Sequence, residues 1–354
     1  MTRPNPHLLA PPPATPAPLE PVITEIAEHA PELDRAPAFP TAAFAALGRA
    51  GLLAGGLPYA EELRLVRTVA RADGSVGRIL DGHLNAVERL RLLDPRADDL
   101  PQIESGRLWL GLWGADPLAG EGDPAIVAGR PGHWHLTGSK VFCSGAGGVH
   151  RAAVLARGPG PDPARWLVYV DLSDGVQVDR TWFRGFGMRA SESHRVTFDQ
   201  ARILAVLGDP GELSRDPWFS RDAIRTAATW AGMADTALNG ALQSLRARPR
   251  PGDLEALAAG RMLTAHKTID LWMAAAAAET DPDALTELSV HLRDAVSLAA
   301  TTILDEAARA CGSRPFALGS SLDRARRDLQ LLLLQHRLDP LVARRGLNAL
   351  EAGR

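Results

Sequence analysis

Three long stretches in the last third of this chain constrain its fold most. They read "RDAIRTAATWAGMADTALNGALQSL", "DLEALAAGRMLTAHKTIDLWMAAAAAE" and "DALTELSVHLRDAVSLAATTILDEAARACG". Each is helix-forming in composition, and they are separated only by Pro249-Arg250-Pro251-Gly252 and Asp281-Pro282-Asp283. Long helices with such short breaks must fold back on one another, which predicts a bundle. A fourth member is "LDRARRDLQLLLLQHRLDP" over 322–340, where Leu329 and Leu331 to Leu334 give a helix apolar on every side before Gln335, His336, Arg337 and Pro340. A helix of that kind belongs inside a domain. It raises the question of what His336 does where the helix emerges.

The pattern upstream has two regimes. From about residue 20 to 106, "TAAFAALGRAGLL", "AEELRLVRTVARADG" and "SVGRILDGHLNAVERLRLLDP" place apolar residues at helical spacing. Between about 107 and 205, short apolar or alternating runs are divided by Gly, Pro and Asp, as in "ARWLVYVDLSDGVQVDR". That spacing predicts an antiparallel β unit, a small barrel or sandwich. The expected fold is mixed α and β, mainly α. A disordered Pro-rich lead-in covers 1–22, an N-terminal helical domain 23–106, a central β domain 107–206 and a C-terminal four-helix bundle 207–354. The sequence has neither a Gly-x-Gly-x-x-Gly fingerprint after a strand nor a P-loop lysine motif, which disfavours a Rossmann domain.

Charge excludes some partners. The 354 residues carry a net charge of −3, with arginines scattered rather than gathered in a basic arm, so nucleic acid is not an expected partner. The proline-broken start lacks the apolar run of a signal peptide or anchor, and "MAAAAAE" (273–279) is too short to cross a bilayer. No membrane association is expected. Cys143 and Cys311 have no metal-ligand spacing, and a reduced, cytoplasmic setting is the natural reading.

Four segments, in order, resemble the acyl-CoA dehydrogenase superfamily of flavoproteins over roughly 36–345. These are "FPTAAFAALGRAGLL", the Gly-x-Lys hairpin in "LTGSKVFCSGAGGVHRAAVLAR", the Gly-Met-Arg loop in "FGMRASESHRVTFDQARI", and the Gly-rich turn and Arg-Asp helix in "ACGSRPFALGSSLDRARRDLQ". The resemblance implies a three-domain fold, FAD as cofactor, and a small-molecule substrate such as an acyl-CoA. FMN or reduced flavin is the alternative cofactor. It also implies a homodimer or homotetramer assembled through the bundle. "GLWGADPLAGEGD" stands where the family has Thr-Glu-Pro-x-x-Gly-Ser-Asp, so Ala115 replaces the flavin-binding Thr and Glu121 the pyrophosphate-binding Ser. Backbone N–H groups around Gly114, Ala115 and Asp116 remain available, but a carboxylate at 121 repels a diphosphate unless it is turned away.

"VFCS" matches the strand beside the flavin ring, making Phe142, Cys143 and Ser144 cofactor candidates, with Ser144 near N5. "RARPRPGDLEALAAG" lacks the Phe of the family's Arg-x-x-Phe segment, which reaches a neighbour's cofactor. The usual catalytic glutamate falls on His336, and its alternative position falls near Ile224, with Asp222 close by. A His at 336 resembles the flavin-dependent monooxygenase branch; a His at a helix C-terminus also suits the helix dipole alone. The reading is an acyl-CoA dehydrogenase-like flavin oxidoreductase. The alternatives are a two-component monooxygenase using reduced flavin and oxygen, and a catalytically silent scaffold.

Other residues carry weaker signals. His83 sits where family members often have a pocket His, but it also fits an ordinary helix position. His133 and His135 flank Trp134 without a third ligand nearby, so a metal site is not expected. Arg189 follows the Gly-Met pair and is placed to meet a phosphate or solvent. No elbow motif supports a Ser-His-Asp triad.

Overall fold

The computed structural model describes residues 19–94, 98–159, 164–212 and 215–352. Most of the expected lead-in, residues 1–18, lies outside them. The chain is already helical from Leu19, since α1 (Leu19–Arg35) buries Val22, Ile23, Ile26 and Ala30 on one face. Pro21 stands in its first turn, where a missing N–H costs nothing. The other helices are α2 (Thr41–Arg49), α3 (Tyr59–Ala72), α4 (Gly74–Leu93), α5 (Leu100–Glu104), α6 (Trp218–Arg246), α7 (Asp253–Ala278), α8 (Pro282–Cys311), α9 (Arg314–Ala317), α10 (Ser321–Leu332) and α11 (Asp339–Glu351). Contacts group the chain into two compact units. Of the described residues, the first holds those up to Pro58 and those within Arg78–Arg184 and Arg189–Phe219; the second holds Tyr59–Gly77, Gly185–Met188 and those from Ser220 onward.

The first unit is built on β1 (Leu110–Trp113), β2 (Ile126–Arg130), β3 (His133–Cys143), β4 (Arg151–Arg157), β5 (Arg165–Asp171), β6 (Val176–Asp179) and β7 (His194–Leu207). The sheet order is β1-β4-β2-β3-β7-β5, and an additional β4–β5 pairing closes it into a barrel, with β6 added on β7. The sheet is mixed rather than wholly antiparallel, because β1 runs parallel to β4 and β2 meets β4 in parallel at Ile126 and Arg157. The β2–β3 hairpin intervenes between β1 and β4, so this parallel pair needs no helical crossover. Val87 and Leu90 of α4 and Ile103 of α5 pack on Leu110, Ala153, Leu167 and Tyr169 to form the core.

The second unit is helical. Its helix breaks use ordinary capping chemistry: Gly252 N–H donates to the Glu255 carboxylate at 3.0 Å, and the Asp281 carboxylate accepts from Asp283 N–H at 3.1 Å ahead of α8. α7 buries Ala258, Ala265 and Ala276 with Met262, Ile269 and Met273, and these small residues let α8 approach closely. The segment 322–340 is not one helix. α10 stops at Leu332, a 3-10 turn covers Leu333–Gln335, and Leu334 is 75% exposed. The apolar run outlasts the buried face: Leu329 and Leu332 point inward, whereas Leu334 does not. Pro340 then opens α11 from its first turn.

Candidate functional site

In the first unit, β3 ends on an unusual surface. Phe142 is held at φ 52° and leaves its ring 57% exposed, edge-on to Trp182 at 4.8 Å between centroids. A left-handed conformation is costly for an aromatic residue, and such strain collects at binding sites. Cys143 points the other way and is buried; burial pushes its thiol well above the usual range, so it contributes packing rather than a thiolate. Ser144 is half-buried, with its carbonyl fixed by the Trp113 indole N–H at 3.0 Å. Its hydroxyl lies 3.0 Å from that of Ser193, which lies 2.7 Å from that of Ser191.

The segment after β1 is pinned beside this turn. The buried Lys140 ammonium donates to the Gly114 carbonyl at 2.9 Å and to the Asp116 carboxylate at 2.7 Å. Arg165 donates to the other Asp116 oxygen at 2.7 Å, and Val141 N–H donates to the Ala115 carbonyl at 3.1 Å. Burial alone would raise the Asp116 carboxyl, but Arg165 and Lys140 hold it below the usual range. Its side chain is therefore an anchor, and only backbone is left to meet a ligand. The N–H groups of Ala115 and Asp116 find no carbonyl acceptor among the described residues. An exposed aromatic face, a half-buried hydroxyl and available amide donors fit the platform and polar edge of a flavin ring. Gly138 (φ +95°) keeps this arrangement close, since a Cβ there would meet the Pro124 carbonyl oxygen at 2.4 Å. Glu121 is turned away, its carboxylate accepting from Leu118 N–H at 2.9 Å within its own turn.

In the second unit, the Gly-Met loop and the Arg-Asp helix meet. Met188 N–H donates to the buried Asp328 carboxylate, and Arg327 donates to the Phe186 carbonyl at 2.7 Å. Gly187 has no substitute, because a Cβ would stand 2.1 Å from the Arg327 carbonyl oxygen. His336 caps the 3-10 turn that continues from α10, in extended backbone at φ −102° and ψ 116°. Its ring is half-buried and meets the fully buried Trp230 at 5.3 Å and 62°. Ile224 is fully buried in α6, and the Asp222 carboxylate stands 3.7 Å from the Arg225 guanidinium. Arg248 donates to the Ala310 and Cys311 carbonyls at 2.7 and 3.2 Å and to Glu255, so it ties off the end of α8.

Other candidates resolve into framework. His83 is fully buried. It accepts from Leu110 N–H at Nδ1 (3.0 Å), which puts its proton on Nε2 for donation to the Leu53 carbonyl (2.8 Å). Burial pushes its pKa down to about 4. Arg189 donates to the Asp34 carbonyl. His133 and His135 lie on β3, and among the described residues no cluster of three or more His, Cys, Asp or Glu could hold a metal. Among the described residues no helix is long and apolar enough to cross a membrane. Ser191, Ser193 and Trp182 escape a reading of the sequence. Serines are common in turns, and only the left-handed Glu192 (φ 47°) between the two signals that this one is built.

No family model matches the sequence. A dibenzothiophene monooxygenase of Rhodococcus erythropolis is 26% identical over 215 residues, covering 55% of this chain and 51% of that protein. The chain thus spans about half the length of the curated relatives it matches. TdsC, a dibenzothiophene monooxygenase of Paenibacillus sp. A11-2 solved with FMN and indole, superposes with a TM-score of 0.80 at 22% identity, over 92% of this chain and 94% of TdsC. Methanesulfinate monooxygenase MsuC of Pseudomonas fluorescens gives 0.78 at 23% identity, over 95% and 97%. At these identities the likeness establishes the fold, and the chain has the acyl-CoA dehydrogenase fold.

Proposed function

We propose that this protein is a two-component flavin-dependent monooxygenase that takes up reduced FMN and uses oxygen to oxidise a small sulfur-bearing molecule. What supports this reading is the count along the sequence, which puts His336 where dehydrogenation has its carboxylate and puts the alternative place near the fully buried Ile224, where the nearby Asp222 faces Arg225 at 3.7 Å. Taking a proton alpha to a thioester requires a base of that kind at the ring. The solved neighbours and the curated relative favour oxygenation over the dehydrogenase reading, and they give acyl-CoA no support. FMN is preferred to FAD because Arg248, in the segment expected to reach an adenosine half, is consumed by the end of α8. TdsC binds FMN.

Bound beside Phe142 and Ser144, reduced flavin would supply two electrons, with which oxygen delivers one atom to the substrate and the other to water. The protein's part is positioning. Phe142 offers the ring a flat apolar contact, Ser144 hydrogen-bonds its central edge, and the Ala115 and Asp116 amides meet its pyrimidine edge. His336 is proposed, from its place in the sequence alone, as a residue that handles a proton during turnover. The sulfur-bearing substrate class follows the names of the curated relative and of MsuC, dibenzothiophene and methanesulfinate, whereas KijD3, a neighbour of similar TM-score, is solved with a dTDP-sugar. Assay with reduced FMN and labelled oxygen tests the reading: label in an oxidised sulfur product supports it, and oxygen-independent bleaching of bound flavin by an acyl-CoA overturns it.

A further inference from the structure

The chain of three hydroxyls behind Ser144 suggests how the site handles two redox forms of one ligand. Ser191 is fully buried and Ser193 is 7% exposed, so bulk water is a poor partner for either. Glu192 sits between them in the left-handed region (φ 47°), at the bend between the 3-10 residues Arg189–Ser191 and β7, and the two hydroxyls meet across it. Its carboxylate is held by Arg180, and Gly145 N–H donates to the Ser191 carbonyl at 2.7 Å, locking this turn to the one carrying Ser144. The result is a continuous line, Ser144 to Ser193 at 3.0 Å and Ser193 to Ser191 at 2.7 Å.

Each hydroxyl has one proton to give and lone pairs to accept with, so such a line has two self-consistent orientations. With protons pointing outward, Ser144 donates to its ligand. With protons pointing inward, Ser144 accepts from the ligand and donates to Ser193. The flavin N5 needs both: it is a lone-pair acceptor when oxidised and an N–H donor when reduced. We propose that Ser193, backed by Ser191, is a positioning residue that lets Ser144 reverse its hydrogen bond to N5, and that it specifically supports the reduced flavin. This rests on the flavin reading above. The selectivity follows from what is orphaned without Ser193. Facing reduced flavin, Ser144 would be left with a half-buried proton and no acceptor. Facing oxidised flavin, it would lose only one of its incoming bonds, and an under-used acceptor costs less than an orphaned donor.

The test is an anaerobic titration of the full-length protein with FMN, oxidised and dithionite-reduced, comparing wild type, Ser193→Ala, Ser193→Thr and Ser144→Ala. Ser193→Ala should weaken reduced FMN about 5- to 10-fold, the scale of one unsatisfied buried hydroxyl, and leave oxidised FMN within about twofold. Ser193→Thr, which keeps the hydroxyl, should restore the ratio. In a Ser144→Ala background, Ser193→Ala should have no further effect on it. Equal weakening of both forms, or an unchanged ratio, overturns the inference and leaves the flavin reading standing. A wild-type protein that binds neither form overturns both.

Discussion

His336 ends a tight turn with its ring against Trp230, close enough to be held and far enough from full burial to be reached. If it serves proton transfer, His336→Asn should lower turnover by about 100-fold or more, the usual scale of a lost general acid or base. FMN affinity and melting temperature should barely move. A matching fall in melting temperature would assign the ring to packing instead. Two other histidines contribute to the pH dependence of folding, with opposite signs. Hydrogen bonding to Asp235 at 2.8 Å raises the His266 pKa, so its stabilisation is complete below the ordinary value of about 6.5 and is lost as pH rises through the folded value. His83, driven down to about 4 by burial, stays neutral in the fold, so acid favours the unfolded chain progressively from about pH 6.5 downward. Melting temperature should therefore fall on both sides of that value, and His266→Gln should flatten the alkaline side; an unchanged alkaline slope would contradict the assignment.

Lys140 shows how one element serves another. Its ammonium, fully buried on β3, holds the Gly114 carbonyl and Asp116 together beside the candidate ring site. Lys140→Met strands the Asp116 carboxylate on Arg165 alone, and should weaken FMN more than it lowers melting temperature; the reverse order would make the pair purely structural. These devices were partly legible in the sequence, since Gly138-x-Lys140 and Phe186-Gly187-Met188 were recognisable and each proves to join strands or helices through a close backbone approach. The end of α10 was not legible. Leu331 to Leu334 contain no polar break, and only burial separates the inward Leu332 from the exposed Leu334. The parallel β1–β4 pair was equally hidden, because alternation reports which face is buried and not which strand is the neighbour. The hydroxyl line needed the backbone turn at Glu192 to bring it together.

At the scale of the molecule, α7 is apolar on both sides. Its inner face packs on α8, yet Leu254, Leu257, Leu263 and Leu271 remain exposed, as does Leu298 of α8. Apolar surface of this kind is ordinarily covered, and a second copy of the chain is the occupant we propose. Light scattering should give a dimer or tetramer, and Leu257→Glu with Leu271→Glu should reduce it to a monomer; a monomeric wild type would remove the proposal. Whether the protein works on reduced flavin is decided by anaerobic titration of the purified protein with FMN and FAD in both redox states. Reduced FMN should bind more tightly than oxidised FMN and more tightly than either form of FAD. Protein that instead retains oxidised FAD through purification and binds reduced FMN no better would contradict it.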